Sequence, residues 1–253
     1  MPKIEIKNLN VTYDKNNQEI VAIPNLSCVF ESGKISVIMG ESGSGKTSLL
    51  MAIIGLVDYV GEINVDDKCY DFMEIKDKNI SYVSQKFVLY PFMNVFDNIA
   101  FPLKLLKTPP SEIKERVYEI AKILNIELLL TRKPKKLSVG QQQRVALARA
   151  MIKNPKIYLF DEVFSNQDEK AVAEQRVFLK KMMKSINATV IFVTHKAKDA
   201  MALADNIYIM EKGNIIISGK PNDLYNNDNP KIHAYFEDID NEIKIKRSFS
   251  DLK

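Results

Sequence analysis

The feature that most constrains the fold is the glycine-rich segment Gly40-Glu-Ser-Gly-Ser-Gly-Lys-Thr47. It follows a largely apolar run, Lys34–Met39, which predicts a buried strand, and it precedes Thr47–Ile54, which predicts a helix. Glycines let backbone N–H groups curl around an oxyanion, and a following helix adds the positive end of its dipole. A strand, a glycine loop and a helix in this order predict a phosphate-binding loop in an α/β fold.

Two side chains of this loop carry the predicted chemistry. Lys46 is expected to reach the β- and γ-phosphates of a nucleotide, and the Thr47 hydroxyl is expected to ligate Mg²⁺. The other predicted nucleotide contacts of the segment are Gly40, Glu41, Ser42, Gly43, Ser44, Gly45 and Ser48.

A second apolar run, Ile157–Phe160, ends in the paired acids Asp161 and Glu162. A parallel sheet buries such a run on both faces, and ligands of α/β sheets bind at the carboxyl ends of the strands. One carboxylate can hold Mg²⁺ and the next can polarise the attacking water. Beside a triphosphate, this pair predicts hydrolysis and not only binding.

A second glycine turn, Leu137-Ser-Val-Gly-Gln141, precedes a helical pattern that extends to Met151. Ser138 is a good helix cap, and Gly140 leaves its backbone free to contact a ligand. From the residues alone this segment is an ordinary capped helix.

The rest of the chain is organised as an α/β core interrupted by a mostly helical insert at about 86–152. The charged residues Asp240–Lys253 are expected to be loosely ordered. No signal peptide and no run of 18 apolar residues is present, so we expect no membrane span. The two cysteines have no metal-ligand spacing, and the weak net charge of +4 demands neither a nucleic acid nor a membrane surface.

With these motifs in this order, the sequence strongly resembles the nucleotide-binding subunits of ATP-binding cassette (ABC) transporters, from near the N-terminus to about residue 236. Its glycine loop resembles the Walker A motif, Leu137–Gln141 the signature and Ile157–Glu162 the Walker B motif. The remaining matches are Gln85 (Q-loop), Ser165–Asp168 (D-loop), His195 (switch histidine) and Tyr13 (adenine-stacking aromatic).

The resemblance implies one ABC ATPase domain over 1–236 and a charged tail over 237–253. The expected fold is α/β: a P-loop NTPase with a RecA-like core, an N-terminal antiparallel β subdomain and an inserted α-helical subdomain. It also implies a head-to-tail dimer in which ATP lies between Walker A of one subunit and the signature of the other. Ser138, Gly140 and Gln141 would then act on the partner's nucleotide, and Asp168 would contact the opposite subunit.

The resemblance further implies the catalytic roles. Glu162 would activate water, His195 would hold the γ-phosphate, and Gln85 would join Thr47 and Asp161 as a ligand of Mg²⁺. The implied partners are a second nucleotide-binding subunit, either a copy or a relative, transmembrane permease subunits and an extracytoplasmic solute-binding protein. No nucleic acid partner is expected, and the expected location is the cytoplasmic face of the cell membrane.

Several stretches resemble importer ATPases of the sugar and polyamine type, among them Phe164–Lys170 and Pro221–Asn227. That branch carries a further C-terminal regulatory β domain, for which too few residues follow Phe236, so we expect no regulation of that kind. Val139 replaces the first glycine of the signature pair; because a β-branched residue is stiffer, we expect slow turnover or an asymmetric dimer. Other departures from the family pattern are Val163, Gln167 and Lys196.

Three alternatives keep the nucleotide site but change the function. One is a compact exporter of lipid, lipoprotein or peptide. Another is a non-transport ABC protein of chromosome maintenance or translation, although neither a long coiled coil nor a second cassette is visible. The third is a regulatory subunit that binds ATP without hydrolysis; Glu162 argues against it, and Val139 leaves it open.

Overall fold

The computed structural model describes residues 1–15, 18–66, 68–70, 73–75, 77–164 and 169–239. The strands of these residues are β1 (Ile4–Lys15), β2 (Gln18–Phe30), β3 (Ile35–Met39), β4 (Val60–Val65), β5 (Lys68–Cys69), β6 (Ile80–Val83), β7 (Ile157–Asp161), β8 (Thr189–Thr194), β9 (Asn206–Glu211) and β10 (Asn214–Gly219). The α-helices are α1 (Lys46–Ile54), α2 (Val95–Leu105), α3 (Pro110–Ile123), α4 (Val139–Met151), α5 (Glu169–Ser185), α6 (Ala197–Leu203), α7 (Pro221–Tyr225) and α8 (Pro230–His233). Within the described ranges, no helix has the length and apolar character needed to cross a membrane.

The chain divides into two compact units. The first contains Met1–Lys78 and Asp168–Lys253, and the second contains Asn79–Gln167. Helices α2, α3 and α4 belong to the second unit and pack on one another. The bounds of the predicted insert and the predicted domain end at residue 236 stay predictions.

The first unit contains an antiparallel sheet in the order β2-β1-β4-β5. Ile4 lies opposite Phe30 on β2 and opposite Val65 on β4. Successive side chains of a strand point to opposite faces, and β1 accordingly buries Ile4 and Ile6 while Lys7 is exposed. The alternation of apolar and charged residues at the N-terminus therefore corresponds to a strand with one buried face.

The first unit also contains parallel strands that carry the glycine loop. β3 lies between β8 and β9 and is parallel to both, and β10 runs antiparallel to β9. Every residue of β3 and β8 is buried, which explains why both strands are nearly continuous apolar runs. Met39, at the end of β3, pairs with Thr194 at the end of β8. The glycine loop and His195 therefore leave the sheet at the same edge.

In the second unit, β6 and β7 form a parallel pair in which Val83 lies opposite Phe160. All five residues of β7 are buried. Because the two strands end together, the segment that carries Gln85 and the paired acids after Phe160 emerge at one edge.

Candidate functional site

The loop between β3 and α1 is a tight turn whose backbone favours glycine at two points. Gly43 and Gly45 have φ angles of 82° and 101°, in the left-handed region that residues with a side chain rarely adopt. A Cβ atom at Gly45 would also lie 2.8 Å from the carbonyl oxygen of Ala22. Gly45 caps the N-terminus of α1 without a side-chain cap. The backbone N–H groups of the first helical turn therefore point towards the loop, as in anion-binding helix termini.

Lys46 lies inside this loop and is 5% exposed. Its Nζ atom donates to the carbonyl oxygens of Gly40 at 2.8 Å and Glu41 at 2.6 Å, and to Ser44 Oγ at 3.3 Å. Three acceptors of the loop thus fix the position of the ammonium group. This arrangement holds a positive charge at the centre of the predicted phosphate site.

A cavity of about 750 Å³ borders the loop, within the size range of ligand sites. It is lined by Gly40–Ser44, His195, Lys196, Met210–Lys212, Lys231, Ala234, Tyr235 and Asp238. The first unit therefore brings together the glycine loop and the predicted switch histidine. The sequence reasoning identified these two groups and missed the contribution of residues 210–212 and 231–238.

Another part of the cavity wall contains an ion pair and a tyrosine, formed by Glu211, Lys231 and Tyr235. Lys231 Nζ lies 2.7 Å from Glu211 Oε2, and the hydrogen bond from Lys231 lowers the pKa of Glu211. Burial raises the pKa of Tyr235, and the carboxylates of Glu211 and Glu41 raise it further. Tyr235 therefore keeps its hydroxyl proton at neutral pH and can act as a hydrogen-bond donor in the cavity.

In the second unit, the paired acids lie at the end of β7 together with Gln85. Gln85 Nε2 donates to Glu162 Oε2 at 3.4 Å. Glu162 has a φ angle of 49°, a left-handed conformation that is uncommon for a residue with a side chain and is often found at functional sites. The structure thus brings together three of the predicted site residues: Gln85, Asp161 and Glu162.

Tyr82 is a member of this acid cluster that the sequence reasoning missed. Its hydroxyl donates to Asp161 Oδ2 at 3.1 Å. Burial, the charge of Asp161 and this hydrogen bond together raise the pKa of Tyr82 well above its ordinary value. The phenol therefore stays protonated and remains a donor to the carboxylate. The sequence signal that could have found Tyr82 is its position in a strand that ends just before Gln85.

The signature segment forms the N-terminus of α4. Ser138 Oγ accepts from the Gln141 N–H at 3.3 Å, and Gln141 Oε1 accepts from the Ser138 N–H at 3.1 Å, a capping box. Val139 is the first residue of α4 and is 56% exposed. The first helical position has a right-handed backbone that any L-residue adopts, and the slow turnover or asymmetric dimer expected from Val139 stays a prediction.

Three further predicted site residues, Tyr13, Thr47 and Ser48, are not among the residues that line the cavity. Tyr13 is half-buried in β1, opposite Ile20, and does not line the cavity. Thr47 and Ser48 follow Lys46 in the first turn of α1. Asp168, with the rest of the predicted D-loop, lies outside the described residues.

Comparison with known proteins decides the family. Residues 23–165, more than half of the chain, match the family model described as "ABC transporter". The chain belongs to the ABC transporter family. The resemblance inferred from the motifs is thereby confirmed.

Similar curated proteins of this family are import ATP-binding proteins. The trehalose/maltose protein MalK of Thermococcus litoralis is 42% identical over 214 residues, 82% of this chain and 58% of that protein. The sn-glycerol-3-phosphate protein UgpC of Psychromonas ingrahamii is 39% identical, covering 90% of this chain and 60% of that protein. The glucose protein GlcV of Saccharolobus solfataricus is 40% identical, covering 90% and 65%. The chain thus spans about three fifths of the length of the curated relatives it matches.

Solved structures of ABC cassettes have the same fold. The ATP-binding cassette MJ0796, in a dimeric post-hydrolysis state bound to ADP and Pi, is 31% identical, with a TM-score of 0.76 over 86% of this chain and 98% of that chain. The structure of cbiO1 from Clostridium perfringens, part of the ABC transporter complex cbiONQ, is 27% identical, with a TM-score of 0.79 over 88% and 90%. The predicted α/β P-loop NTPase fold is confirmed.

Proposed function

We propose that this chain is the ATP-hydrolysing subunit of an ABC importer, in which ATP-driven dimerisation powers the entry of a sugar or related solute through separate membrane subunits. The observation that carries the proposal is the cavity shared by the glycine loop and His195. The import ATP-binding proteins to which the chain is similar support the direction of transport and the class of solute.

The glycine loop would bind the triphosphate. The helix terminus at Gly45 and the loop N–H groups supply hydrogen bonds to phosphate oxygens, and Lys46 supplies the opposing charge from within the loop. A triphosphate would compete with the Gly40 and Glu41 carbonyl oxygens for the Lys46 ammonium, so ATP replaces contacts that already order this side chain.

Hydrolysis requires a base that activates water and groups that hold the γ-phosphate. We assign the base to Glu162, whose carboxylate accepts a hydrogen bond from Gln85, and a γ-phosphate contact to His195, which lines the cavity. A positioned general base contributes roughly 10²- to 10⁴-fold to the rate. Glu162 is therefore expected to control turnover more than affinity.

The predicted ligands of Mg²⁺ fit this ion in their chemistry. Thr47, Gln85 and Asp161 each offer an oxygen donor, the type that Mg²⁺ prefers. Tyr82 holds the Asp161 carboxylate in place through a hydrogen bond. The bound ion would neutralise charge on the phosphates.

A second subunit would complete each nucleotide site. We propose that Ser138, Gly140 and Gln141 contact the nucleotide of the partner, and that Asp168 contacts the opposite subunit. The capping box at Ser138 and Gln141 gives this segment a defined helix terminus, which suits a phosphate of the partner's ATP. The dimeric state of the similar cassette MJ0796 supports such an assembly.

The proposed importer also includes permease subunits and an extracytoplasmic solute-binding protein, and the chain would lie at the cytoplasmic face of the membrane. The test is affinity purification of the tagged chain from gently solubilised native membranes, followed by identification of its partners. In a separate assay, the ATPase activity of the purified chain is compared with that of Lys46→Ala, which removes the proposed phosphate-binding charge.

Two multi-span membrane proteins together with an extracytoplasmic binding protein would support import, and the binding protein would identify the solute. Membrane subunits without a binding protein would favour export. A purely soluble set of partners would contradict the transport function, while ATPase activity that Lys46→Ala abolishes would still support the enzymatic assignment.

A further inference from the structure

A buried polar network lies directly beside the segment that carries His195. Arg176 on α5 donates through Nε to Asp199 Oδ1 at 2.6 Å, and its Nη2 atom lies 2.6 Å from the same oxygen. Asp199, in the first turn of α6, accepts from Thr194 Oγ1 at 2.8 Å through Oδ2. All three residues are at least nine-tenths buried. One carboxylate therefore ties α5 and α6 to the end of β8.

This network fixes the chain on both sides of His195. Thr194, directly before it, donates its hydroxyl proton to Asp199. The same hydroxyl oxygen accepts from the backbone N–H of Lys196, directly after it, at 3.0 Å. The Asp199 N–H in turn donates to the Lys196 carbonyl oxygen at 3.1 Å. His195 itself is exposed and lines the cavity, so the anchored backbone decides where its imidazole can reach.

A buried ion pair is by itself weak evidence of a stabilising role. Well-packed apolar residues of similar volume are often as stable as a buried pair, whereas removing one partner leaves a buried charge uncompensated. In some proteins a buried ion pair is kept because it favours one conformation over close alternatives, and the planar guanidinium gives such a pair a defined geometry. Here the backbone next to the ion pair is that of residues 194–196.

We propose that Arg176 and Asp199 are positioning residues for ATP hydrolysis, acting through Thr194 to hold His195 towards the γ-phosphate. The proposal rests on the proposed ATPase function. It assigns a role to two residues that lie outside the nucleotide motifs and do not line the cavity.

The first test compares steady-state ATPase kinetics of the full chain with Asp199→Asn and Thr194→Val, which remove the charge or the hydroxyl at nearly constant shape. Displacing a catalytic group by about 1 Å costs on the order of 100-fold, so kcat is expected to fall by roughly 10- to 100-fold with the KM for ATP unchanged. Lys184→Met, which removes the ion pair between the exposed Lys184 of α5 and the half-buried Asp205, is the matched control and should keep the wild-type kcat.

The second test asks whether the effect passes through His195. In a His195→Ala background, Asp199→Asn should lower kcat no further, because residues that act as one unit are not additive. An Asp199→Asn effect of the same size in both backgrounds would overturn the proposal.

The third test separates positioning from stability. Arg176→Met with Asp199→Leu removes both buried charges, so the thermal midpoint should recover relative to Arg176→Met alone, while kcat stays low. Recovery of kcat together with the midpoint would show a purely structural pair. A wild-type chain without ATPase activity would overturn the proposed function itself, whereas an active chain whose Asp199→Asn variant equals wild type would overturn only the positioning role.

Discussion

At the scale of single residues, Glu162 combines an unusual backbone with the proposed catalytic role. A left-handed conformation in a residue with a side chain costs about 1–3 kcal/mol and persists only where the surroundings impose it. Here the residue follows the buried strand β7, and its carboxylate accepts from Gln85. The strain is consistent with a carboxylate held in one direction by its local fold.

Glu162→Gln should therefore lower kcat by roughly 10²- to 10⁴-fold and leave ATP affinity unchanged. The amide preserves the shape of the side chain but removes the base. Steady-state ATPase assays and direct nucleotide-binding measurements check the two halves of the prediction. Glu174→Gln, an exposed acid on α5, is the control. A variant that retains wild-type turnover would place the base elsewhere.

Gly213 is a second residue whose backbone affects the site, because it is hydrogen-bonded to the glycine loop. It has a φ angle of 78°, and its N–H donates to the Ser44 carbonyl oxygen at 2.9 Å. A Cβ atom here would lie 2.5 Å from Pro24 Cδ and 2.6 Å from the Ala22 carbonyl oxygen. The turn between β9 and β10 is thus in direct contact with backbone that supports the loop.

Gly213→Ala should lower the free energy of unfolding by about 1–3 kcal/mol and raise the KM for ATP, since the loop must shift with the turn. Denaturant unfolding and ATPase kinetics measure the two effects. Asn214→Ala, at the next, exposed position, should change neither. An unchanged KM in a destabilised Gly213→Ala variant would show that the loop is independent of this turn.

At the scale of elements, α4 begins at a capping box, and the residue that departs from the family pattern, Val139, directly follows the capping Ser138. Ser138→Ala removes the capping hydroxyl and should lower the free energy of unfolding by about 1 kcal/mol, with a loss of ATPase activity if Ser138 contacts the partner's nucleotide. Because Val139 lies in a helix, whose backbone any L-residue adopts, we expect Val139→Gly to leave kcat unchanged, in contrast to the slow turnover expected from the sequence. Faster turnover of Val139→Gly would show that the valine itself slows the site.

The features that can be predicted from the sequence depend on residues close together in the chain, whereas those that were missed depend on contacts between residues far apart in the chain. Buried parallel strands such as β3 and β8 are apolar runs that can be recognised locally, and the glycine loop has a fixed spacing between two predictable elements. Helix α6 has only seven residues, too few for a clear helical period. The bonds from Asp199 to Arg176 and from Tyr82 to Asp161 join residues 23 and 79 positions apart, and no local pattern predicts such pairs.

At the scale of the whole molecule, the proposed cycle depends on nucleotide state. If ATP closes a dimer and hydrolysis releases it, ATP must bind the closed state far better than the open one. Moving an equilibrium from 1:99 to 99:1 requires a preference of about 10⁴-fold. The triphosphate can supply this only through contacts that the second subunit adds, for which Ser138, Gly140 and Gln141 are the proposed donors.

A chain that binds ATP without hydrolysing it should therefore accumulate as the dimer. The Glu162→Gln chain is expected to sediment as a dimer with ATP and Mg²⁺ and as a monomer with ADP, measured by analytical ultracentrifugation. Lys46→Ala in the same background should remain monomeric, because the loop has lost the charge that we propose holds the phosphates. Ser138→Arg should also prevent dimerisation while ATP affinity stays intact, since in the proposed dimer that side chain acts on the other subunit's nucleotide. Dimerisation of Ser138→Arg equal to that of its Glu162→Gln parent would mean that the subunits meet through another surface.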